Sequence, residues 1–140
     1  MDIAFHSDCA GINWEEAASV FRRAPLGERE PQPLRQAFES SQIVCFAFAD
    51  GQLVGLGRAL TDGIFQAAIY DICVLPEYQG RGIGHGIVDN ILSRLDVRTV
   101  LLFSAPGKEP FYAKLGFRRL RTGMGLFSDV TTALDNGYIE

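Results

Sequence analysis

The chain has 140 residues, a hydrophobic fraction of 47% and a formal net charge of −4 at pH 7. This length and composition favour a single α/β domain over residues 1–140 with a real core. The acidic balance argues against a nucleic-acid-binding protein. No apolar run reaches the length of a membrane span, and the N-terminus lacks the pattern of a signal peptide. We therefore expect a cytoplasmic protein without nucleic-acid or membrane partners.

The three cysteines indicate neither a metal site nor a disulfide framework. Cys9, Cys45 and Cys73 match no zinc or redox spacing, and their number is odd. Cys45 and Cys73 lie within apolar runs, so we expect buried, reduced thiols there. No bound metal is expected.

The first half of the chain predicts one strand, two helices and a hairpin. Asn13 suits a helix N-cap, with Glu16 at the position that completes a capping box. Pro33 suits the first turn of a second helix, and Asp50-Gly51 is a strong hairpin signal. The predicted elements are a strand at 2–6, a helix from Trp14, a loop at 24–32, a helix from Pro33, and strands at 42–49 and 52–60.

The second half predicts a buried strand that runs into an amphipathic helix, followed by shorter elements. Ile83, Ile87, Val88, Ile91, Leu92 and Leu95 recur at helical spacing. Gly116 suits the C-cap of a short helix. The predicted elements are a strand at 65–75, a helix to about residue 95, a buried strand at 99–103, a helix at 109–115 and a strand at 117–127. Residues 128–140 give no signal.

Four glycines alternate with other residues where the long strand meets the helix, in Gln79-Gly80-Arg81-Gly82-Ile83-Gly84-His85-Gly86. Glycine lets a backbone approach a ligand closely, and the amides at a helix N-terminus attract anions. The pattern predicts phosphate binding, although a tight turn without a ligand is an alternative. A Walker loop would need Gly-Lys-Ser/Thr, and a Rossmann loop would need G-x-G-x-x-G with an acid about 20 positions on. Neither is present.

The loop does resemble the CoA pyrophosphate loop of the GNAT acetyltransferases, through Gln79-x-x-Gly82-x-Gly84 after a strand that ends in Val-Leu-Pro. Phe111-Tyr112-Ala113-Lys114-Leu115-Gly116-Phe117 is similar to a second signature of that family. The order of the predicted elements agrees along nearly the whole chain. The resemblance implies an α/β (α+β) fold, with a central mixed and mostly antiparallel sheet flanked by helices. It also implies transfer of an acetyl group from acetyl-CoA to a primary amine by direct attack in a ternary complex.

The resemblance also assigns the residues that hold acetyl-CoA. Backbone groups at the end of the strand would line the acetyl and pantetheine arm, and an N–H there would stabilise the thioester oxygen as its charge grows. The loop amides would hold the pyrophosphate, with Arg81 and His85 adding charge or simply facing solvent. The assigned residues are Ile72, Cys73, Val74, Gln79, Gly80, Arg81, Gly82, Ile83, Gly84 and His85.

For catalysis, the resemblance implies that Tyr112 is the general acid. A phenol of pKa about 10 can donate a proton to a departing thiolate at neutral pH, although Tyr112 could instead pack beside Phe111 and Phe117. Asp71 is the nearest candidate base. A structural hydrogen bond or a water relay is an equally open role for it, and Asp62 and Tyr70 are weaker candidates.

One departure from the family lies at Ser104-Ala105-Pro106-Gly107-Lys108, where several relatives carry an Asn that contacts pantetheine. The acceptor is less defined than the donor. The family chooses acceptors with the N-terminal helices and later loops. The string Arg58-Ala59-Leu60-Thr61-Asp62-Gly63 loosely resembles the arylalkylamine or serotonin acetyltransferase-like subgroup. That favours a small amine, while protein N-termini, amino acids and aminoglycosides stay open.

Two other classes of function compete with this interpretation. A non-catalytic acyl-CoA-binding sensor or interaction module would keep the glycine loop without needing Tyr112. A redox nucleotide-binding domain conflicts with the glycine spacing. A homodimer also remains open.

Overall fold

The computed structural model describes all 140 residues, which divide into two compact units. Met1–Leu102 contains the sheet, and Phe103–Glu140 contains two short helices. The expectation that residues 1–140 form one domain stays a prediction.

The first unit is built on a five-stranded sheet in the order β1-β2-β3-β4-β5. All neighbouring strands are antiparallel except β4 and β5, which are parallel. The predicted mixed, mostly antiparallel sheet is confirmed. Its elements are β1 (Ile3–His6), α1 (Trp14–Arg23), α2 (Pro31–Glu39), β2 (Ile43–Ala49), β3 (Gln52–Thr61), β4 (Gln66–Val74), a 3₁₀ turn (Pro76–Tyr78), α3 (Ile83–Ser93) and β5 (Thr99–Leu101).

Helices cover both faces of this sheet, because alternate residues of β2 and β3 point to opposite sides. Phe46 on β2 packs against Trp14 of α1 and Phe38 of α2, with ring centroids 5.9 and 5.4 Å away. On the other face, Gly55 and Gly57 of β3 leave room for isoleucines of α3. A Cβ on Gly57 would lie 3.1 Å from Cγ2 of Ile87, and one on Gly55 would lie 2.9 Å from its Cδ1. The glycines therefore let α3 pack closely on the sheet.

Helix α1 begins as the sequence predicts, with one difference in its cap. The side chain of Asn13 accepts hydrogen bonds from the amides of Glu15 and Glu16, both at 3.1 Å. The Glu16 carboxylate does not complete a capping box. It accepts instead from the Leu53 amide at 2.8 Å, which fastens the helix to β3.

Helix α2 begins at Pro31, two residues before the expected Pro33 and inside the predicted loop. Both prolines fit the first turn, because its amides have no partner within the helix. The β2–β3 turn is confirmed as type I′, with φ of 48° at Asp50 and 83° at Gly51. Helix α3 ends at Ser93, and its buried residues are Ile83, Ile87, Val88 and Ile91.

Strand β5 is a short edge strand and not the buried strand expected at 99–103. It ends at Leu101, Thr99 is exposed, and the other two residues are half-buried. Phe103 lies beyond it with 64% of its surface exposed. The apolar run Val100–Phe103 suggested a buried strand, but only one neighbour, β4, pairs with it.

The second unit contains α4 (Glu109–Lys114) and α5 (Val130–Asp135). Helix α4 ends in a Schellman motif, in which the amides of Gly116 and Phe117 donate to the carbonyls of Ala113 and Tyr112. Helix α5 lies in the tail that gave no sequence signal, and the Asp129 side chain caps it through the Thr132 amide.

The strand expected at 117–127 is absent, so that prediction was wrong. The segment has aromatic and apolar residues at strand-like spacing, but no neighbouring strand pairs with it. Without such a partner its backbone cannot form a ladder. Met124 and Leu126 are almost completely exposed. Phe127 packs with Phe103 and Tyr138, and Phe117 contacts Tyr112.

Candidate functional site

The most distinctive feature of the sheet is a gap between β4 and β5. The parallel pairing covers only Gln66–Ala68 of β4 and Thr99–Leu101 of β5. Residues 69–74 continue β4 without a strand on that side. Backbone N–H and C=O groups on such an edge are available to an extended ligand. The predicted contact residues Ile72, Cys73 and Val74 lie in this stretch.

A bulge changes the direction of β4 just before these residues. The register shifts between the pairs Arg58–Tyr70 and Leu56–Cys73, so Asp71 and Ile72 together lie opposite Gly57. Asp71 has a left-handed backbone, with φ of 66°. Gly57 has no side chain, and a Cβ there would lie 2.3 Å from Cδ1 of Ile72. The bulge thus positions Ile72 over a glycine of the neighbouring strand.

The glycine loop closes back on the end of this strand. The Gln79 side chain donates from Nε2 to the Val74 carbonyl at 3.0 Å. Gly80 and Gly82 have φ of 76° and 82°, a backbone that side chains rarely adopt. A Cβ on either glycine would meet no atom within 4 Å. Their role is therefore to shape the backbone, not to avoid a clash.

The start of α3 leaves several amides free to bind an anion. The first hydrogen bond within the helix runs from the Gly86 amide to the Gly82 carbonyl at 3.0 Å. The amides of Ile83, Gly84 and His85 therefore have no acceptor in the helix. The N-cap residue, Gly82, supplies no capping side chain. The partial positive charge of the helix N-terminus adds to these donors, so the geometry fits a phosphate group.

The two charged side chains of the loop are exposed and directed at protein partners. The Arg81 guanidinium lies 5.5 Å from the centre of the Tyr78 ring and 3.6 Å from the Met1 sulfur. His85 forms a 3.0 Å pair with Asp89, one turn along α3. The amides of the loop, in contrast, remain open to a ligand.

Asp71 is engaged by two arginines, and sequence analysis missed both. The Arg58 Nε donates to one carboxylate oxygen at 2.7 Å, and the Arg29 Nη2 donates to the other at 3.3 Å. The Asp71 side chain is only 9% exposed. Because both oxygens are engaged, the geometry favours a positioning role over direct removal of a proton. The one sequence signal was an arginine at position 58 within the otherwise apolar stretch 53–60 of β3.

Replacing Asp71 by Asn should test this positioning role. Asn also tolerates the left-handed backbone, so the change removes mainly the negative charge. It leaves two guanidinium groups without a carboxylate. We expect the free energy of unfolding in urea to fall by about 2 kcal/mol. Glu39→Gln removes an exposed partner of Arg35 and should cost under about 0.5 kcal/mol. Equal stability of the two variants would contradict a structural role for Asp71.

The buried cysteines are poor nucleophiles. Cys45 and Cys73 are free thiols, at 0% and 5% exposure. Burial raises the pKa of the Cys45 thiol to about 11. Burial, with the nearby Asp71 carboxylate adding to it, also raises the pKa of the Cys73 thiol. Both cysteines are buried, as expected from the sequence, and their raised pKa favours the protonated thiol at neutral pH. A protonated thiol does not accept an acyl group readily.

Tyr112 belongs to the second unit, on α4. Its ring makes edge contacts with Phe111 and Phe117, at centroid distances of 4.9 and 5.9 Å. The side chain is half-buried. In the stretch that lacks the family's Asn, the Glu109 carboxylate accepts from the Gly107 amide at 2.7 Å and from Ser104 Oγ at 3.3 Å. Glu109 thereby orders this connection before α4.

Other regions of the chain offer no stronger site. No three His, Cys, Asp or Glu side chains lie together as a metal ion would need. None of the helices has the length and apolar character required to cross a bilayer. Two shallow depressions, neither of them lined by the glycine loop, lie beside Asp2 and His6 and beside Asp62 and Gln66.

Comparison with known proteins identifies related sequences along most of the chain. Residues 15–124 match the family model described as an acetyltransferase (GNAT) domain. Serotonin N-acetyltransferase 2, chloroplastic, from Oryza sativa subsp. japonica is 30% identical over 81% of this chain and 60% of its own length. The uncharacterized N-acetyltransferase ycf52 of Pyropia yezoensis is 36% identical over 83% of this chain and 71% of its own. This chain thus spans about three fifths of the rice protein.

A solved structure supports the same fold. An acetyltransferase of the GNAT family from Streptococcus pneumoniae superposes with a TM-score of 0.76, covering 91% of this chain and 99% of its own. The sequences are 24% identical, so this similarity concerns the fold.

Proposed function

Because the chain belongs to the GNAT acetyltransferase family, a family of acyltransferase enzymes, we propose that it transfers an acetyl group from acetyl-CoA to a small primary amine. The observation that carries the proposal is that two features occur together: a stretch of β4 with no neighbouring strand on one side, and free amides at the start of α3. The first suits an extended pantetheine arm, and the second suits a pyrophosphate. Both features lie within the first unit.

The chain's residues take the following roles in this proposal. Amides of residues 80–85 hold the pyrophosphate, and Gln79 fixes the loop to the end of β4. Backbone groups of residues 72–74 line the acetyl arm, and an N–H there stabilises the negative charge on the carbonyl oxygen. The acceptor nitrogen bonds to the acetyl carbon as the carbon–sulfur bond breaks. Tyr112 gives its proton to the departing sulfur.

Direct transfer in a ternary complex agrees with the state of the cysteines. Cys73 is the thiol within the predicted acetyl contact, and burial raises its pKa. An acyl-cysteine intermediate would need a thiolate there. The amine therefore attacks the thioester itself, after losing its proton to a water relay.

The acceptor is proposed from the name of one relative. The rice relative is named as a serotonin N-acetyltransferase, which favours a small amine here. The same proposal includes a single domain over residues 1–140, a cytoplasmic location, a homodimer, and no nucleic-acid or membrane partner.

The alternative is a sensor that binds acyl-CoA and does not catalyse acetyl transfer. The glycine loop alone would serve such a protein, since it binds the pyrophosphate and not the reacting atoms. Tyr112 lies on α4, at the tyrosine position of the Phe111–Phe117 signature, which favours the enzyme.

A combined binding and turnover assay tests the proposal. Acetyl-CoA and CoA should each raise the melting temperature, since at 100 times Kd a ligand adds about 2.7 kcal/mol to the stability. Release of free thiol with acetyl-CoA and a panel of primary amines should then identify an acceptor. Binding without thiol release for every amine would support the sensor. No stabilisation by either compound at millimolar concentration would contradict both functions.

A further inference from the structure

Arg29, Arg58 and Asp71 form a charged cluster beside the proposed acetyl site, which we call the arginine–aspartate cluster. Asp71 immediately precedes Ile72 on β4, and Arg29 comes from the α1–α2 connection. The cluster therefore joins the strand proposed to hold the donor to the segment that the family uses to choose acceptors.

The cluster carries one uncompensated positive charge. Two guanidinium groups share a single carboxylate, and each oxygen of that carboxylate is already engaged. Nearby charges pair among themselves: Arg23 pairs with Glu77, and Arg22 lies 4.0 Å from Glu28. Glu30 is exposed and forms an ion pair with neither arginine of the cluster.

The two arginines are held differently. Arg58 is 15% exposed, and its guanidinium lies 5.1 Å from the Tyr70 ring and 5.8 Å from the Phe38 ring. Arg29 is 41% exposed, and it rests 4.9 Å from the Phe21 ring. Only the Nη2 of Arg29 donates to the protein. Arg58 is therefore structural, whereas Arg29 keeps N–H donors that have no acceptor in the protein.

We infer that the acceptor carries a carboxylate next to its amine, and that Arg29 binds this carboxylate. The contacts with a carboxylate and an aromatic ring fix the orientation of the Arg29 guanidinium. Its remaining N–H donors match a carboxylate in geometry and charge. An acceptor with only an ammonium group would meet the same excess positive charge unfavourably. The inference rests on the proposed function and narrows its acceptor from small amines in general to amino acids.

Matched pairs of acceptors test this inference. Each pair consists of an amino acid and the amine that lacks its carboxylate: glycine and methylamine, alanine and ethylamine, leucine and isoamylamine, phenylalanine and phenethylamine. Thiol release with acetyl-CoA gives kcat and KM for each. For the pair that is used best, the amino acid should have a kcat/KM higher by roughly 10- to 100-fold, the range for a hydrogen bond to a charged partner.

Three variants locate the preference at Arg29. Arg29→Gln should raise KM for the amino acid by a similar factor, with little change in kcat or in the constants for the matching amine. Arg29→Lys, which keeps the charge but loses the planar donor pair, should restore part of the preference. Arg98→Gln, in the exposed α3–β5 connection, should leave it intact.

Two outcomes would overturn the inference. One is acetylation of amines with no preference for the carboxylate in any pair. The other is an Arg29→Gln variant that loses activity equally on both members of a pair, which would make Arg29 only an anchor for its loop. Absence of thiol release with every amine, in contrast, would contradict the proposed enzyme and not this choice of acceptor.

Discussion

Tyr112→Phe should lower kcat by about 10²- to 10⁴-fold, the usual contribution of a general acid, and leave the Kd for acetyl-CoA unchanged. Phenylalanine keeps the edge contacts with Phe111 and Phe117 and removes only the hydroxyl. The thiolate then leaves without a proton donor, whereas the proposed donor-binding groups lie elsewhere in the chain. Steady-state thiol release and calorimetric titration with acetyl-CoA would measure the two effects.

A matched control separates this chemistry from packing. Tyr138 lies in the same unit and also makes aromatic contacts, with Phe103 and Phe127. Tyr138→Phe should leave kcat within about twofold, since aromatic packing survives loss of a hydroxyl. If both variants have the kcat of the parent chain, and the chemical step limits that rate, Tyr112 is not the general acid. If both lose turnover equally, the effect comes from the packing of the unit.

Gly82→Val should weaken acetyl-CoA binding at least tenfold. Gly82 has φ of 82°, which costs a β-branched residue more than the about 1–2 kcal/mol of an ordinary one. The chain can relieve this strain only by rotating the loop backbone. That rotation moves the amides of Ile83 and Gly84 away from their common anion site. Calorimetric titration with CoA would measure the loss of affinity.

The control for this variant is Gly63→Val, in the β3–β4 turn. Gly63 has a similar φ of 74°, and a Cβ there would also meet no atom within 4 Å. Both variants should lower the melting temperature by a similar amount, since both strain an open turn. Only Gly82→Val should lose CoA affinity. Equal CoA affinity in the two variants would show that the loop does not hold the phosphates.

The local parts of this molecule could be predicted because their signals are local. The Asp50-Gly51 turn and the Asn13 cap each depend on residues within one turn of chain. The glycine loop is similar, since Gly80 and Gly82 supply a backbone conformation that follows from having no side chain. The second motif placed α4 correctly, down to Gly116 at its end.

The arginine–aspartate cluster could not be predicted from such signals. Arg29 and Asp71 are 42 positions apart, and Arg58 and Asp71 are 13 apart, so the tertiary fold alone brings them together. The left-handed backbone at Asp71 was equally hidden, because it arises from a bulge between two strands. The sequence identified Asp71 as a candidate base, and only its partners indicate a different role.

The incorrect prediction of a strand at 117–127 also comes from a feature that depends on distant parts of the chain. Apolar and aromatic spacing reports which residues could face a core, but a strand also needs a neighbour for its backbone. The length and burial of the strand predicted at 99–103 were overestimated for the same reason, since only residues 99–101 pair with β4.

The unpaired edge of β4 at residues 69–74 has a practical consequence for work with this protein. An unpaired strand edge invites another chain to add to it, and such edges are common starting points of aggregation. If the donor occupies residues 69–74 as proposed, the cosubstrate completes the sheet and blocks this route. Purification and storage with CoA should then raise the protein concentration up to which the chain stays monodisperse. Hydrogen exchange at the backbone amides of residues 69–74 should slow when CoA is bound.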